Sequence, residues 1–183
     1  MPENNNHSKQ HDPSPQRTVT TWYLEMLSAS EHQASPLAAD FEVKEAHIKQ
    51  FQVNRFLYSL VGANWYWTEK LGWTDEDWKQ YAESDNLRTW VAYTEGSIAG
   101  YFELQSHAGN EVELVYFGLA PAAVGNGKGF GRSLLSAAID NAWQHDNTKR
   151  VWLHTCTDDH PHALNNYKSR GFKVYKEETV IVK

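Results

Sequence analysis

Two kinds of apolar periodicity alternate along the chain and predict a mixed α/β domain. Clusters of β-branched and aromatic residues, which suit a pleated and half-buried surface, predict strands. These strands cover residues 18–27, 41–44, 87–93, 98–104, 113–119, 151–155 and 172–182. Apolar residues three or four positions apart predict helices over residues 47–62, from Thr74 onward, over 134–143 and over 161–171.

Local signals mark several element ends. Thr74, with Asp77 three residues later, resembles a capping box, in which each side chain bonds to the backbone N–H of the other residue. Glu95 and Gly96 predict the turn of a hairpin between two strands. Gly171 suits the position just after a helix, where the chain often adopts a positive φ.

Composition narrows the class of protein. The chain has 183 residues, of which 40% are hydrophobic and 8 are Trp, so one domain with one sizeable core is expected. A formal net charge of −6 argues against a general nucleic-acid-binding surface. Cys156 is the only cysteine, so no intramolecular disulfide can form, and a reducing, cytoplasmic location is expected.

The beginning of the chain differs in composition from the rest. Residues 1–17 contain no aliphatic or aromatic side chain after Met1. Such a segment buries too little apolar surface to offset its ordering entropy. We therefore predict a disordered tail over residues 1–17 and a single domain over 18–183. No stretch approaches the roughly 18 consecutive apolar residues of a membrane-spanning helix.

The strand predicted over residues 113–119 leads into a glycine-rich turn. Glycines alternate at positions 125, 127, 129 and 131, and an apolar-periodic helix follows. Such a turn exposes backbone N–H groups at the positive end of a helix dipole, which suits a pyrophosphate. The spacing differs from a dinucleotide-binding motif, and Lys128 is followed by Gly129 instead of the Ser or Thr of a Walker loop. A flexible turn at a helix start is the alternative.

Three blocks of the chain together resemble the GNAT superfamily of acetyl-CoA-dependent N-acetyltransferases. They are VELVYFGLAP at 112–121, NGKGFGRSLL at 126–135 and ALNNYKSRGF at 163–172. These blocks are similar to the family's central strand, its Gln/Arg-x-x-Gly-x-Gly/Ala loop and its Ala-x-x-x-Tyr-x-x-x-Gly-Phe ending. The resemblance implies an α/β (α+β) fold with a mixed, mainly antiparallel, splayed sheet flanked by helices. It also implies acetyl transfer from acetyl-CoA to a primary amine of a small molecule, peptide or protein.

The resemblance further implies which residues contact the coenzyme. The backbone N–H of Phe117 is expected to face the thioester oxygen, and the Leu119 backbone to pair with pantetheine. The diphosphate cradle is expected to comprise Asn126, Gly127, Lys128, Gly129, Phe130, Gly131 and Arg132. Asn126 stands where the family usually has Gln or Arg, so the side chain that braces the loop is shorter. Tyr167 matches the tyrosine that donates a proton to the departing thiolate.

The amine must lose a proton, because an alkylammonium has no free lone pair at pH 7. Glu113 matches the position of the family's usual base. Strand alternation predicts that four residues share one face: Glu113, Val115, Phe117 and Leu119. Glu113 and Phe117 are then about 13 Å apart along an extended strand, so the proton moves through ordered water or a bulge shortens the path. Glu111 and Glu103 are the substitutes for the base.

Two other clusters carry possible chemistry. Residues 154–162 include three histidines, two aspartates and Cys156, but they lack a standard zinc spacing, so no metal is expected. Cys156 is interpreted as a small core residue in preference to an acyl-accepting nucleophile. An aromatic and basic cluster either packs in the core or caps an acceptor cleft: Arg55, Tyr58, Trp65, Tyr66 and Trp67.

The expected partners follow from these features. The chain is predicted to bind acetyl-CoA and an amine acceptor, and neither nucleic acid nor a membrane. The many tryptophans favour a homodimer. One alternative function is a non-catalytic acyl-CoA-binding sensor or interaction module on the same fold, and another is an enzyme that uses a different acyl donor.

Overall fold

A computed structural model describes residues 16–145 and 147–182. Its strands are β1 (Arg17–Met26), β2 (Phe41–Glu45), β3 (Leu87–Thr94), β4 (Ser97–His107), β5 (Glu111–Leu119), β6 (Arg150–Cys156) and β7 (Lys173–Val182). Its helices are α1 (Phe51–Gly62), α2 (Asp75–Ala82), α3 (Phe130–Trp143) and α4 (Ala163–Ser169). Residues 1–15 of the predicted tail lie outside the described residues, and β1 begins at Arg17.

The strands form one seven-stranded sheet in the order β2-β3-β4-β5-β6-β1-β7. All neighbouring pairs are antiparallel except β5 and β6, which are parallel. The parallel pair is joined only over Glu111–Glu113 and residues 150–152, and beyond that point the two strands part. The predicted mixed, mainly antiparallel and splayed sheet is therefore confirmed.

Helices cover both faces of the sheet. On one face, α3 buries the apolar positions that its periodicity predicts, and Leu134 and Ile139 pack into the main core with Phe102. On the other face, α1 packs Leu57 and Val61 into a second cluster with β3 and β4. None of the described helices is long and apolar enough to cross a membrane.

Two helices begin later than predicted, and in each case a backbone hydrogen bond explains the difference. Helix α1 begins at Phe51 instead of residue 47, because the Ala46 N–H donates to Thr89 O (2.9 Å) and keeps this segment alongside β3. Helix α4 begins at Ala163 instead of residue 161. The Ala163 N–H donates to His160 O (2.8 Å) and closes a turn just before the helix.

The predicted capping box at the start of α2 is confirmed. The Asp77 N–H donates to the Thr74 hydroxyl at 3.2 Å, and the Thr74 N–H donates to the Asp77 carboxylate at 2.9 Å. The predicted helix end at Gly171 is also confirmed, with a φ of 107° at that residue. Gly171 is obligatory here, because a Cβ would lie 2.0 Å from the carbonyl oxygen of Glu31.

A β-bulge interrupts β5 next to β4. Leu114 lies opposite Leu104, whereas Tyr116 lies opposite Glu103, so Val115 is an extra residue that has no partner on β4. A bulge of this kind moves every later side chain to the other face of the sheet relative to strict alternation.

The prediction that Glu113, Val115, Phe117 and Leu119 share one face is therefore wrong. Glu113 lies on the same face as Tyr116, which packs against α1. Phe117 and Leu119 lie on the opposite face and pack into the core around α3. The bulge thus places the side chain of Glu113, the predicted base, and that of Phe117 on opposite faces of the sheet.

Candidate active site

A cleft of about 900 Å³ opens where β5 and β6 part. Residues from both faces of the sheet line the cleft, because the gap between β5 and β6 passes through the sheet. The parts of the chain that contribute to it are β5 after the bulge, the glycine-rich turn, the start of α4, the end of β6 and the segment between α1 and α2.

The backbone of β5 presents two N–H groups to this gap. The Ala120 N–H donates to Ala99 O (2.9 Å) across to β4. Because alternate residues of a strand direct their N–H groups to opposite sides, those of Phe117 and Leu119 point away from β4. The β6 pairing has already ended at Glu113, so both donors face the cleft, as the resemblance implies.

The glycine-rich turn has an unusual backbone. Gly125, Gly127 and Gly129 have φ values of 74°, 73° and 77°, a region that residues with a Cβ seldom adopt. The Lys128 N–H donates to the side-chain oxygen of Asn126 at 3.0 Å, which tightens the turn. No heavy atom lies within 4 Å of a Cβ position at Gly125 or Gly127, so the turn encloses open space. This fits a phosphate group held by backbone N–H donors.

Helix α3 begins directly at this turn. Gly129 is its N-cap and makes no side-chain cap bond, so the N–H groups of Phe130 and Gly131 stand at the positive helix end. The Arg132 guanidinium folds over Gly129, where a Cβ would lie 2.7 Å from Nη2. The Phe130 ring instead stacks on Phe41 in the core at 4.7 Å, so only its backbone is available to a ligand.

The predicted cradle residues divide into two groups. Gly129, Gly131 and Arg132 line the cleft, whereas Asn126, Gly127, Lys128 and Phe130 do not. The Lys128 ammonium lies 3.2 Å from Glu95. Gly125 lines the cleft although it was not among the predicted contacts.

Tyr167 lies at the other side of the gap, on α4. It is 7% exposed, and its ring meets those of Phe117 (5.9 Å) and Phe172 (6.2 Å) edge-on. Burial raises the pKa of its hydroxyl well above the usual value, and Asp159 adds to this, so the phenol is protonated at neutral pH. The hydroxyl has no hydrogen-bond partner among residues 16–145 and 147–182, and Tyr167 lines the cleft.

Glu113 does not line the cleft. Its side chain is 11% exposed and lies 2.8 Å from His107 Nε2. His154 Nδ1 lies 3.9 Å from the other carboxylate oxygen, and His154 does line the cleft. His154 is therefore a cleft residue that lies next to Glu113.

The two substitute carboxylates also lie outside the cleft. Glu111 forms an ion pair with Arg150 at 2.9 Å. Glu103 is 1% exposed and accepts hydrogen bonds from Asn54 Nδ2 (2.8 Å) and the Tyr81 hydroxyl. Burial raises the pKa of Glu103 above its usual value.

Tyr116 and Glu69 are further cleft residues that the sequence-based prediction missed. The Tyr116 hydroxyl donates to the Glu69 carboxylate at 3.0 Å, and both side chains line the cleft. These residues are 47 positions apart, so no local pattern connects them. Tyr116 would also have been assigned to the wrong face without the bulge at Val115.

The aromatic and basic cluster is divided between the cleft, the core and the surface. Trp65, Tyr66 and Trp67 line the cleft. Tyr58 is buried in the cluster between α1 and α2, and Arg55 pairs with Asp75 at 2.6 Å on the surface.

The histidine- and aspartate-rich segment at 154–162 forms no metal site that can be recognised. Within the described residues, no three His, Cys, Asp or Glu side chains are grouped as a metal ion would require. Asp159 accepts instead from the Thr155 hydroxyl (2.7 Å) and from the Cys156 N–H (3.0 Å). Burial raises the pKa of the Cys156 thiol, which disfavours the nucleophilic thiolate.

Solved structures with a similar fold include two described as GCN5-related N-acetyltransferases. One, from Sphaerobacter thermophilus, has a TM-score of 0.65 at 16% identity and covers 90% of this chain and 50% of its own. The other, from Kribbella flavida, has a TM-score of 0.62 at 12% identity and covers 91% and 58%. The chain thus spans about half of the length of these proteins.

A third similar structure is closer in length. It is an aminoglycoside acetyltransferase from an uncultured soil metagenomic sample, in complex with trehalose, with a TM-score of 0.58 at 17% identity. The match covers 79% of this chain and 94% of that one. At such identities the likeness shows a shared fold. None of the curated proteins compared with the chain matches it.

The family comparison covers most of the described chain. The model of the acetyltransferase (GNAT) family matches residues 54–172. That range includes β5 with its bulge, the glycine-rich turn, the parting of β5 from β6, and Tyr167. It is well over half of the 183 residues, and the chain therefore belongs to the GNAT acetyltransferase family.

Proposed function

We propose that this protein transfers the acetyl group of acetyl-CoA to a primary amine by direct attack in a ternary complex. The observation that carries the proposal is the pair of outward N–H groups, those of Phe117 and Leu119, at the parting of β5 and β6. They lie in one cleft with the glycine-rich turn and with Tyr167.

The residues of the turn suit the coenzyme's diphosphate. The backbone N–H groups at the start of α3 would hold the pyrophosphate oxygens, and the Arg132 guanidinium would add positive charge. Asn126 would act indirectly, by tightening the turn through the Lys128 N–H. Gly127 and Lys128 would then shape the turn in preference to contacting the ligand. The Leu119 backbone would pair with the pantetheine arm.

The chemistry needs an oxyanion donor, a base and an acid. Acetyl-CoA, when bound, supplies the thioester carbonyl carbon that the amine attacks. The Phe117 N–H would stabilise the charge that develops on the carbonyl oxygen. Glu113 would accept the ammonium proton through His154 or water, and the Tyr167 hydroxyl would protonate the leaving sulfur.

Several wider assignments belong to the same proposal. We infer a single catalytic domain over residues 18–183, a cytoplasmic location, no metal requirement and a homodimer. The acceptor is an amine on a small molecule, a peptide or a protein. Sedimentation analysis of the purified protein tests the homodimer.

A non-catalytic acyl-CoA sensor is the second candidate, and one observation favours it. Glu113 lies outside the cleft and is held by His107, so the family's usual base is not presented directly to an acceptor. A sensor would bind the coenzyme with similar affinity but would release no thiol with any amine.

Calorimetry with acetyl-CoA, followed by thiol-release assays over an amine library, tests the proposal. We expect saturable binding to the wild-type protein, and affinity about tenfold weaker in Arg132→Ala because a charged contact is lost. Arg55→Ala is the matched control, since Arg55 lies on the surface outside the cleft. Absence of acetyl-CoA binding would rule out both candidates, and binding without thiol release would favour the sensor.

A further inference from the structure

Glu69 and Tyr116 form a hydrogen-bonded pair on the α1 side of the cleft. The Tyr116 hydroxyl donates to Oε2 of Glu69 at 3.0 Å. Tyr116 directly precedes Phe117 on β5, and the bulge at Val115 is what turns the Tyr116 side chain towards α1. Glu69 comes from the segment between α1 and α2. The pair therefore places a carboxylate on the cleft wall beside the strand that carries the proposed oxyanion donor.

Glu69 is a cleft carboxylate that remains available to a ligand. Asp158 forms an ion pair with Arg17, and Asp159 accepts from the Cys156 N–H. In the described part of the chain, Glu69 has no ion-pair partner, and its carboxylate accepts one side-chain hydrogen bond, from Tyr116. Oε1 of Glu69 thus accepts no hydrogen bond from residues 16–145 or 147–182.

The neighbouring Lys70 attracts Glu69 at a distance but forms no ion pair with it, because the Lys70 side chain turns inward. Lys70 is 8% exposed, and its ammonium lies 3.5 Å from the Trp73 ring and 4.0 Å from the Tyr81 ring. The rings of Trp73 and Tyr81 thus already hold one ammonium group, that of Lys70. The Glu69 carboxylate stands in front of these rings and is not in direct contact with the Lys70 ammonium.

Aromatic rings surround the pair on the cleft side. The Trp67 ring lies 5.0 Å from the Tyr116 ring and meets it nearly edge-on. Trp65 and Tyr66 line the same cleft, and Tyr66 is 62% exposed. The Arg17 guanidinium lies 4.1 Å from the Tyr66 ring, so Trp65 and Trp67 offer the aromatic surface that the body carrying the cation would meet.

We infer that Glu69, Tyr116 and Trp67 form the subsite that receives the ammonium group of the acceptor. This inference rests on the proposed function and names its substrate class: a cationic primary amine carried on a flat apolar body. Glu69 binds the charge, Tyr116 orients the carboxylate, and the tryptophans contact the apolar body. Glu69 holds the ammonium, and His154, which lines the same cleft, remains the proposed route of the ammonium proton to Glu113.

Binding of tryptamine and of tryptophol, measured by calorimetry on the full chain, tests the subsite. The two compounds share the indole body, and only tryptamine carries an ammonium group at pH 7. We expect the wild-type protein to bind tryptamine at least about tenfold more tightly than tryptophol. Glu69→Gln should remove this preference for tryptamine and leave acetyl-CoA affinity unchanged. Tyr116→Phe should reduce the preference for tryptamine.

Glu76→Gln is the matched control, because Glu76 is exposed on α2 and outside the cleft. Equal affinity of the wild-type protein for the two compounds would overturn the inference, as would an unchanged preference in Glu69→Gln. The binding comparison is run with and without coenzyme A and requires no acetyl transfer. Failure of the proposed function would instead appear as absent acetyl-CoA binding or absent thiol release.

Kinetics give a second readout that a merely structural role would not reproduce. With tryptamine as acceptor, Glu69→Gln should raise KM at least about tenfold with a smaller change in kcat. Glu113→Gln should instead lower kcat with a smaller change in KM, because Glu113 is proposed to move a proton and not to bind the ammonium. A fall in kcat with unchanged KM in Glu69→Gln would contradict the binding role.

Discussion

The two residues proposed for proton transfer differ in how the fold presents them. Tyr167 lines the cleft, and its ring is fixed edge-on against Phe117 and Phe172. Glu113 is buried against His107 outside the cleft, and His154 is the cleft residue that lies 3.9 Å from it. A single substitution at Tyr167 therefore tests the chemistry most directly, because it removes one hydroxyl and keeps the packing.

Tyr167→Phe should lower kcat at least about tenfold, since general acid catalysis contributes about 10²- to 10⁴-fold to rates. Affinity for acetyl-CoA should change less than about twofold, because the ring contacts remain. Thiol-release kinetics and calorimetry measure the two quantities. Tyr175→Phe is the control, because Tyr175 is exposed on β7 outside the cleft. An unchanged kcat in Tyr167→Phe would exclude the acid role.

At the scale of elements, the cleft depends on how closely α1 approaches β5. A Cβ at Gly118 would lie 2.4 Å from Cγ1 of Val61, so the helix packs directly on the strand backbone. Gly62, which follows Val61, allows the Trp67 side chain to pack against the helix backbone. A Cβ at Gly62 would lie 2.6 Å from that side chain. These two glycines bring the segment with Trp65, Trp67 and Glu69 to the cleft wall.

Gly118→Ala should lower the free energy of unfolding by about 1–3 kcal/mol, the usual cost of overpacking. The added methyl group has to displace Val61, which is 1% exposed and has little room to move. Val61→Ala alone should also destabilise, because it leaves a cavity. In the double variant the new methyl occupies that space, so the loss should be smaller than the sum of the two. Urea unfolding measures all three, and additive losses would contradict the close packing.

At the scale of the whole molecule, both faces of the sheet contribute to one site. The α3 and α4 face supplies the glycine-rich turn and Tyr167, and the α1 and α2 face supplies Glu69 and Tyr116. Behind the second face lies a buried polar network in which Glu103 accepts from Asn54 and Tyr81. That network links α1, α2 and β4, so its ionisation affects the stability of the whole fold.

The stability of the folded protein should depend on the proton of Glu103. Burial raises its pKa in the folded state above the ordinary value of 4.5. Between these two pKa values the folded state binds more protons than the unfolded state, so the free energy of unfolding falls as pH rises. This contribution is complete below 4.5 and is lost as pH rises through the folded-state pKa.

Glu103→Gln should remove this part of the pH dependence. The amide keeps the size of the carboxyl group but cannot ionise. Urea unfolding at about pH 5 and pH 8 should show a smaller loss of stability on raising the pH in the variant than in the wild type. The difference between the two pH values is the quantity to compare, because Gln also alters the hydrogen bonds from Asn54 and Tyr81. Equal differences in the two proteins would exclude the buried carboxyl as the cause.

Local sequence patterns predicted most of the elements because those patterns act over a few residues. The capping box at Thr74, the hairpin turn at Glu95 and the helix end after Ser169 lie where predicted. The start of α1 was predicted four residues too early, because the bond from Ala46 to β3 is a tertiary contact that periodicity does not contain.

The sequence by itself determined the order of the elements, the glycine-rich turn and the family, since each depends on residue types at short, regular spacing. The tertiary structure decided which side chains meet in the cleft. The bulge at Val115 arises from the pairing of β5 with β4. It places the side chains of Glu113 and Phe117 on opposite faces of the sheet. Glu69 and Tyr116 meet only because α1 packs on the strand backbone at Gly118. Both are consequences of long-range packing, which no short-range spacing of residues encodes.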